Sequence, residues 1–279
     1  TLSPDEIRAE CAALAAEGFQ NILLLTGEAP RQASPEYIAE AVAIAREYFA
    51  SVSVEVYAFD EADYGRLVEN GLEGVTMYME TYHRPLYETV HLQGQKKDYE
   101  YRLDALERAG RAGVRKLTVG ALLGLYDWRF DIFWTALHAR QLETACWTSA
   151  VNVSFPRLRH TPERFAIEHP VSDTDLVQMV LALRLFLPEA GFNLSTRETA
   201  AFRDRLIPLG ITSMSAGSST KPGGYAVHRD PEERDDGKVR DVLEQFEVED
   251  ARSPKEVVAA IRSAGYDPVW KDFDRALAG

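Results

Sequence analysis

Cysteine is nearly absent: Cys11 and Cys146 are the two in 279 residues. They fall in no C-x-x-C or related spacing, which excludes a disulfide framework and any metal centre built on cysteine pairs. Cys11 sits in a helical pattern and Cys146 near a helix end, so both read as packing residues in a reducing, cytoplasmic setting. Positive charge is also scarce. Thirty-one Lys and Arg stand against 44 Asp and Glu, a formal charge of −13, which argues against nucleic acid as the main partner. No apolar run approaches a membrane span, and the first residues carry no signal-peptide pattern. No Ser-His-Asp arrangement, G-x-S-x-G elbow or short-period repeat is visible.

What is present is regular. Ser3-Pro4, Ser34-Pro35 and Ser253-Pro254 each place a capping Ser before a Pro at the first helical position, with Glu6 and Glu256 closing capping boxes. Gly18, Gly71, Gly113, Gly210 and Gly265 follow helical patterns and read as left-handed helix stops. After the stops come short apolar runs, read as strands at 21–25, 52–57, 74–78, 116–120, 150–155, 192–195 and 212–215. Their apolar character reads as continuous, which suits a parallel sheet covered on both faces. Ile38, Val42, Ala45 and Phe49 form one helical stripe; Leu176, Val177, Val180, Leu181 and Leu187 form most of another.

The pattern predicts an α/β fold of seven βα-type strands with a helix before the first. A closed (β/α)8 barrel has eight strands, so the expected fold is a TIM-type barrel lacking its first strand, with that strand expected upstream of Thr1. An open doubly wound sheet is the alternative. The barrel is expected over residues 1–226. The charged stretch from His228 to Gly237 reads as an exposed loop, and 227–279 as a small appendage with a strand near 243–248 and a helix from Pro254.

Polar residues just past parallel strands are where such folds keep their chemistry. Thr26-Gly27-Glu28 offers close backbone approach and a carboxylate for an ammonium group, or is a solvated loop. Glu80-Thr81-Tyr82-His83, with His91 and Arg102, offers an acid and a base for the two ends of an amino-acid-like ligand. His83 and His91 read more simply as hydrogen-bonding loop residues, without a zinc-spaced third partner. Gly120 and Leu122 begin an apolar, Gly-containing segment that fits a flat ring or plain packing. Asp127-Trp128-Arg129 reads as a helix start. Arg157 and Arg159 bind an anion or pair with acids. Ser195-Thr196-Arg197-Glu198 is the sharpest cluster: Arg197 can take a carboxylate bidentately, flanked by hydroxyls. Arg203-Asp204 reads as a structural pair. Ser215, Ser218 and the Gly-rich loop 216–224 fit a phosphate by spacing alone.

Eight motifs in one order resemble a known family. They are Leu23-Leu24-Leu25-Thr26-Gly27-Glu28, Glu80-Thr81-Tyr82-His83, His91 with Gly94 and Lys96, Val153-Ser154-Phe155-Pro156-Arg157-Leu158-Arg159, Leu194-Ser195-Thr196-Arg197-Glu198, Pro222-Gly223-Gly224-Tyr225-Ala226, Leu243-Glu244-Gln245-Phe246 and Pro268-Val269-Trp270-Lys271-Asp272. Together they resemble the 2-iminoacetate synthases, radical-SAM tyrosine lyases of thiamine biosynthesis, over essentially the whole chain.

The resemblance implies a radical-SAM barrel in which S-adenosyl-L-methionine binds a [4Fe-4S] cluster held by three cysteines in C-x3-C-x2-C. It implies cleavage of L-tyrosine to p-cresol and 2-iminoacetate, with thiazole synthase as partner. Carried over by residue, Thr26, Gly27, Glu28, Glu80, Arg102, Gly120 and Leu122 correspond to S-adenosylmethionine contacts. Ser195, Thr196, Arg197, Ser215 and Ser218 correspond to the tyrosine site.

One departure is decisive: the C-x3-C-x2-C motif, which in the family precedes the helix beginning here near Ser3, is missing. The chain is therefore expected to be a truncated form, inactive alone. A related tyrosine lyase of hydrogenase maturation is disfavoured by the absence of cysteine near the C-terminus, and a tryptophan-cleaving relative stays open. Outside this class, two alternatives stand: a cluster-free barrel that binds phosphate through 216–224, and a non-catalytic subunit that binds thiazole synthase.

Overall fold

Ser51-Val52-Ser53-Val54-Glu55 alternates polar and β-branched side chains, the mark of a strand with two unlike faces. Lys116-Leu117-Thr118-Val119-Gly120 and Ala150-Val151-Asn152-Val153-Ser154 repeat it. A computed structural model describes residues 1–159, 167–219, 221–226 and 248–271 and shows what that alternation builds. The first half runs α1 (Pro4–Ala16), β1 (Asn21–Leu25), α2 (Pro35–Arg46), β2 (Ser51–Glu55), α3 (Glu61–Glu69), β3 (Gly74–Tyr78), α4 (Arg84–Val90), α5 (Tyr99–Leu103) and α6 (Ala105–Arg111). The second half runs β4 (Lys116–Gly120), α7 (Trp128–Ala145), β5 (Ala150–Ser154), α8 (Asp173–Phe186), β6 (Gly191–Leu194), α9 (Ala200–Leu206), β7 (Ser213–Met214) and α10 (Pro254–Ser263).

The strands form one seven-stranded parallel sheet in the order β1 to β7. Each strand pairs with the next in sequence, the arrangement of a TIM-type half-barrel with its helices outside. The expected strands match within two residues at each end, and the open doubly wound alternative, whose strand order reverses partway, does not hold. Of the expected appendage, α10 is present; the loop 228–237 and nearly all of the 243–248 segment lie outside the described residues.

Local signals act as the sequence predicts. Ser3, Ser34 and Ser253 cap their helices, with capping boxes at Ser3 and Ser253. All five predicted stop glycines have positive φ. Asp127 caps α7.

The expectation of continuously apolar strands is corrected. Val52, Val54, Val75, Met77, Leu117, Val119, Val151, Val153, Phe192 and Leu194 face the helices and are buried in the main core. The intervening residues line the other, concave face; from β2 to β7 they are polar or small, whereas β1 puts Leu23 and Leu25 there. A Cβ on Gly74 would strike Ser53 Oγ at 2.4 Å, one on Gly191 would strike Asn152 Oδ1 at 1.8 Å, and Ser213 Oγ donates to Asn193 Oδ1 at 2.6 Å. The usual barrel interior is packed with branched apolar residues; from β2 to β7 this one is hydrophilic. Leu181, placed by its spacing in the α8 stripe, is instead exposed.

Candidate functional site

Two polar groups meet at the C-terminal ends of the strands. The first gathers beyond β1 and β3. Glu80 follows β3 with φ 66, the one described non-glycine residue with positive φ, a conformation that costs energy without a compensating role. Lys96 Nζ reaches Glu80 Oε1 at 2.6 Å and Arg102 Nη2 reaches it at 3.3 Å. Burial works against the Glu80 charge, but Lys96 and then Arg102 outweigh it and hold the carboxyl below its usual range. Arg102 Nε donates to the Tyr78 carbonyl at 2.7 Å, and the Leu122 amide donates to the Glu80 carbonyl at 2.8 Å. Glu28 joins through Oε1, which accepts the Lys96 amide at 2.7 Å. Thr26 Oγ1 is buried without a hydrogen-bond partner, and a Cβ on Gly27 would meet nothing within 4 Å. The fold thus links Glu28, Glu80 and Arg102 through Lys96 and the Glu80 carboxylate, with Leu122 on the Glu80 carbonyl and Thr26 and Gly27 just ahead of Glu28 in the chain.

The second group occupies the concave face. Arg197 follows β6, and burial is the main influence on its guanidinium, whose charged and polar surroundings include Tyr78, Glu55 and Glu80. Glu55 and Ser154 are among the immediate surroundings of Tyr78. Its ring lies over Gly120, where an added Cβ would come within 3.0 Å of it. Burial pushes the Glu55 carboxyl up to about 7, against the opposing pull of Arg197. Ser195 Oγ accepts the Arg197 amide at 3.4 Å, a local turn contact. Glu55 and Tyr78 were not singled out by the sequence reading. The alternation that ends β2 in a carboxylate was the signal that could have found them.

Other predicted residues serve the framework. Thr196 is 1% exposed; its carbonyl accepts the Glu249 and Asp250 amides at 3.0 and 3.1 Å, and its hydroxyl has no partner. Arg157 and Arg159 converge on Glu198, itself 1% exposed: Arg157 Nε donates to Oε1 at 3.0 Å and Arg159 Nη1 to Oε2 at 2.8 Å. That settles the choice left open for these two arginines in favour of pairing with acids. Arg203 does not pair with Asp204. It bonds Asp250 and the Ser215 carbonyl, while Asp204 takes Arg252 at 2.9 Å.

The Gly-rich loop also differs from its phosphate reading. The Tyr225 and Ala226 amides donate to Glu10 at 2.9 and 2.6 Å, and the Ser219 amide to Tyr225 Oη at 2.7 Å. The Ser219 amide of the 216–224 loop thus serves a phenol, and the two amides just past the loop serve a carboxylate of α1. Ser218 is partly buried and Ser215 exposed, on the rim of the half-barrel.

The donor set does not fit an iron–sulfur cluster. Among the described residues no three His, Cys, Asp or Glu side chains gather as metal ligands. Burial pushes the Cys11 thiol up to about 11 and raises Cys146 as well, so neither is a ready thiolate. Both are packing residues, as expected. The Glu28, Glu80, Lys96 and Arg102 group, with the orphaned Thr26 hydroxyl, does fit a zwitterionic amino-acid end. No described helix is long and apolar enough to cross a membrane.

Comparisons with known proteins agree with this geometry. The radical SAM superfamily model matches residues 1–137, and that of the Biotin and Thiamin Synthesis associated domain matches 154–267. The chain is 42% identical over 278 residues to a 2-iminoacetate synthase of Escherichia coli (strain K12), covering 99% of this chain and 71% of that protein. It is 40% identical to one from Salmonella typhimurium, with the same coverage. Among solved structures, HydG, a maturase of the [FeFe]-hydrogenase, superposes with a TM-score of 0.87 at 34% identity. That match covers 97% of this chain and 58% of HydG.

Proposed function

The chain belongs to the 2-iminoacetate synthase family of the radical SAM superfamily, and from that premise we propose that it forms the substrate-holding half-barrel of a tyrosine lyase. The proposed reaction breaks the Cα–Cβ bond of L-tyrosine. It gives 2-iminoacetate and p-cresol, the former for the thiazole of thiamine, with thiazole synthase as the receiving partner in the cytoplasm. S-adenosylmethionine, when bound, supplies the family's hydrogen-abstracting radical. Glu28, Glu80, Arg102 and the Thr26–Gly27 backbone are the residues that would hold its amino-acid end, and Gly120 and Leu122 its ring. The described residues supply no ligands for the cluster, so no step through it is assigned to them.

The observation that carries the reading is Arg197 on a hydrophilic concave face, beside the Ser195 and Tyr78 hydroxyls. A guanidinium taken largely out of water binds a carboxylate far more strongly than an exposed one. With its carboxylate fixed, the amino acid presents one orientation to an attacking radical. Ser215 and Ser218 stand on the rim, where they would complete the carboxylate site. Calorimetric titration with L-tyrosine tests this. Arg197→Lys keeps the charge but loses the planar fork and is expected to bind roughly 10-fold more weakly; Arg197→Ala is expected to lose roughly 100-fold or more. Equal affinity in all three proteins would remove Arg197 from the site.

A further inference from the structure

Glu80 sits at the apex of a one-residue turn. The Thr81 amide donates to the Met79 carbonyl at 2.9 Å, and Glu80 between them has φ 66. That is a γ-turn of the positive-φ kind, rare and strained, which keeps its shape only where the surroundings over-determine it. On the upstream side they do: the Met79 amide donates to the Gly120 carbonyl at 3.0 Å and the Leu122 amide to the Glu80 carbonyl at 2.8 Å. Lys96 and Arg102 grip the Glu80 carboxylate rather than the turn.

The downstream side is held by one residue of α7. Asp131 is fully buried, and its Oδ1 accepts the Thr81 hydroxyl at 2.9 Å and the Tyr82 amide at 2.8 Å. An acid in the first turn of a helix is ordinarily explained by the helix dipole. That role asks only for an exposed side chain. Asp131 is buried and spends its oxygen on a segment 50 and 49 residues away in the chain. Thr81 Oγ1 in turn accepts the His83 amide at 3.0 Å, and Tyr99 Oη donates to the Tyr82 carbonyl at 3.1 Å. The bonds to Asp131 begin at the residue right after Glu80 and set where the chain leaves the turn. We propose that Asp131 is a positioning residue, which locks the γ-turn of Met79, Glu80 and Thr81 and so aims the Glu80 carboxylate at the amino-acid end of S-adenosylmethionine. This rests on the reading above, in which Glu80 helps to hold that end, and adds the residue that keeps Glu80 in place.

The two carboxyl oxygens show which property of Asp131 matters. Both donors fall on Oδ1, while Oδ2 is buried without a hydrogen-bond partner. Burial pushes the carboxyl up to about 6, and a proton taken up there goes to the partnerless Oδ2, leaving Oδ1 to its two donors. The tether therefore needs an acceptor oxygen, which Asn supplies and Ala does not. Removing that oxygen strands a buried hydroxyl and a buried amide. The turn then relaxes from its strained φ, and the carboxylate leaves its place against Lys96 and Arg102.

The measurement is calorimetric titration of the chain with S-adenosylmethionine, with thermal denaturation of each variant alongside. Asp131→Ala should bind roughly 10- to 100-fold more weakly, since a displacement of about 1 Å is enough for such a loss. Asp131→Asn should stay within about 3-fold of the unaltered chain in affinity even where its melting temperature falls, because an amide nitrogen without an acceptor replaces the buried Oδ2. Tyr82→Phe deletes the phenol that meets His138 Nδ1 at 2.8 Å but keeps the amide that Asp131 holds, and should bind as the unaltered chain does. A merely structural Asp131 would make affinity follow stability across these three variants. That outcome overturns the inference, as does unchanged affinity in Asp131→Ala. If Asp131→Ala does not fold, Thr81→Val carries the test. It is close in shape, removes one of the two bonds and should weaken binding roughly 3- to 10-fold; equal affinity there overturns the inference. Failure of S-adenosylmethionine to bind the unaltered chain instead sinks the reading of Glu80 as its contact, and this inference with it.

Discussion

At the scale of the residue, Ser195-Thr196-Arg197-Glu198 reads in sequence as one cluster, and the fold divides it by alternation. Ser195 and Arg197 turn to the concave face, while Thr196 and Glu198 turn inward and are 1% exposed. Arg157 and Arg159, open in sequence between an anion and an acid, and Arg203, read there as the partner of Asp204, are all engaged by the buried acids Glu198 and Asp250. Asp250 shows the energetic consequence. Burial raises its pKa, but hydrogen bonds from Arg252 and then Arg203 overcome that and pull it from 3.8 to about 2. A carboxyl depressed in the folded state stabilises it fully above its unfolded pKa, and the contribution is lost as pH falls through the folded one. Stability of the protein is expected to drop between about pH 4 and pH 2 by on the order of 2 kcal/mol from this group. Urea unfolding across that range should show the slope, and Asp250→Asn should be less stable at neutral pH and flatter below it.

At the scale of the element, the packing of α6 against the end of α7 depends on a missing side chain. A Cβ on Gly110 would fall 2.3 Å from Cys146 Sγ and 3.3 Å from Leu117 Cδ1. Gly110→Ala gains helix propensity in α6 but overpacks the contact, and a net loss of roughly 1–3 kcal/mol is expected. Cys146→Ala should relieve most of that loss in the double variant, so thermal denaturation of the four proteins should give a clearly non-additive cycle. Additive effects would mean that the helices do not meet there. Gly110 carries no sequence signal of this kind, because its partner is a helix and a strand away. The capping serines, stop glycines and strand cores were legible because each is decided within about one turn or one strand.

At the scale of the whole molecule, the half-barrel has two unlike ends. The C-terminal strand ends hold the candidate site. The opposite end is met by the segment after α10: Trp270 packs edge-on against Phe19 at 5.5 Å, and its carbonyl accepts Asn21 Nδ2 at 2.8 Å. Lys271 Nζ reaches the Ala50 carbonyl at 3.2 Å and Glu73 Oε1 at 3.6 Å. This gives the Pro268–Asp272 motif a physical role in closing the bottom of the sheet, although Asp272 lies outside the described residues. Trp270→Ala should cost about 2 kcal/mol and speed amide exchange in β1 and at the start of β2, read by mass spectrometry. Unchanged exchange there would show that the segment adds nothing to the sheet.

The sequence by itself determined the order of strands and helices, their caps and stops, and the parallel sheet, because those follow from periodicity and backbone preference over a few neighbouring residues. It also located Glu28, Glu80 and Arg197 just past strand ends, where parallel folds gather function. Only the tertiary structure decided which polar residues share a surface. That Glu198 is spent on Arg157 and Arg159 and that the Gly-rich loop is tied to Glu10 depend on register and curvature. Those bring together residues far apart in the chain, and no local pattern records the pairing.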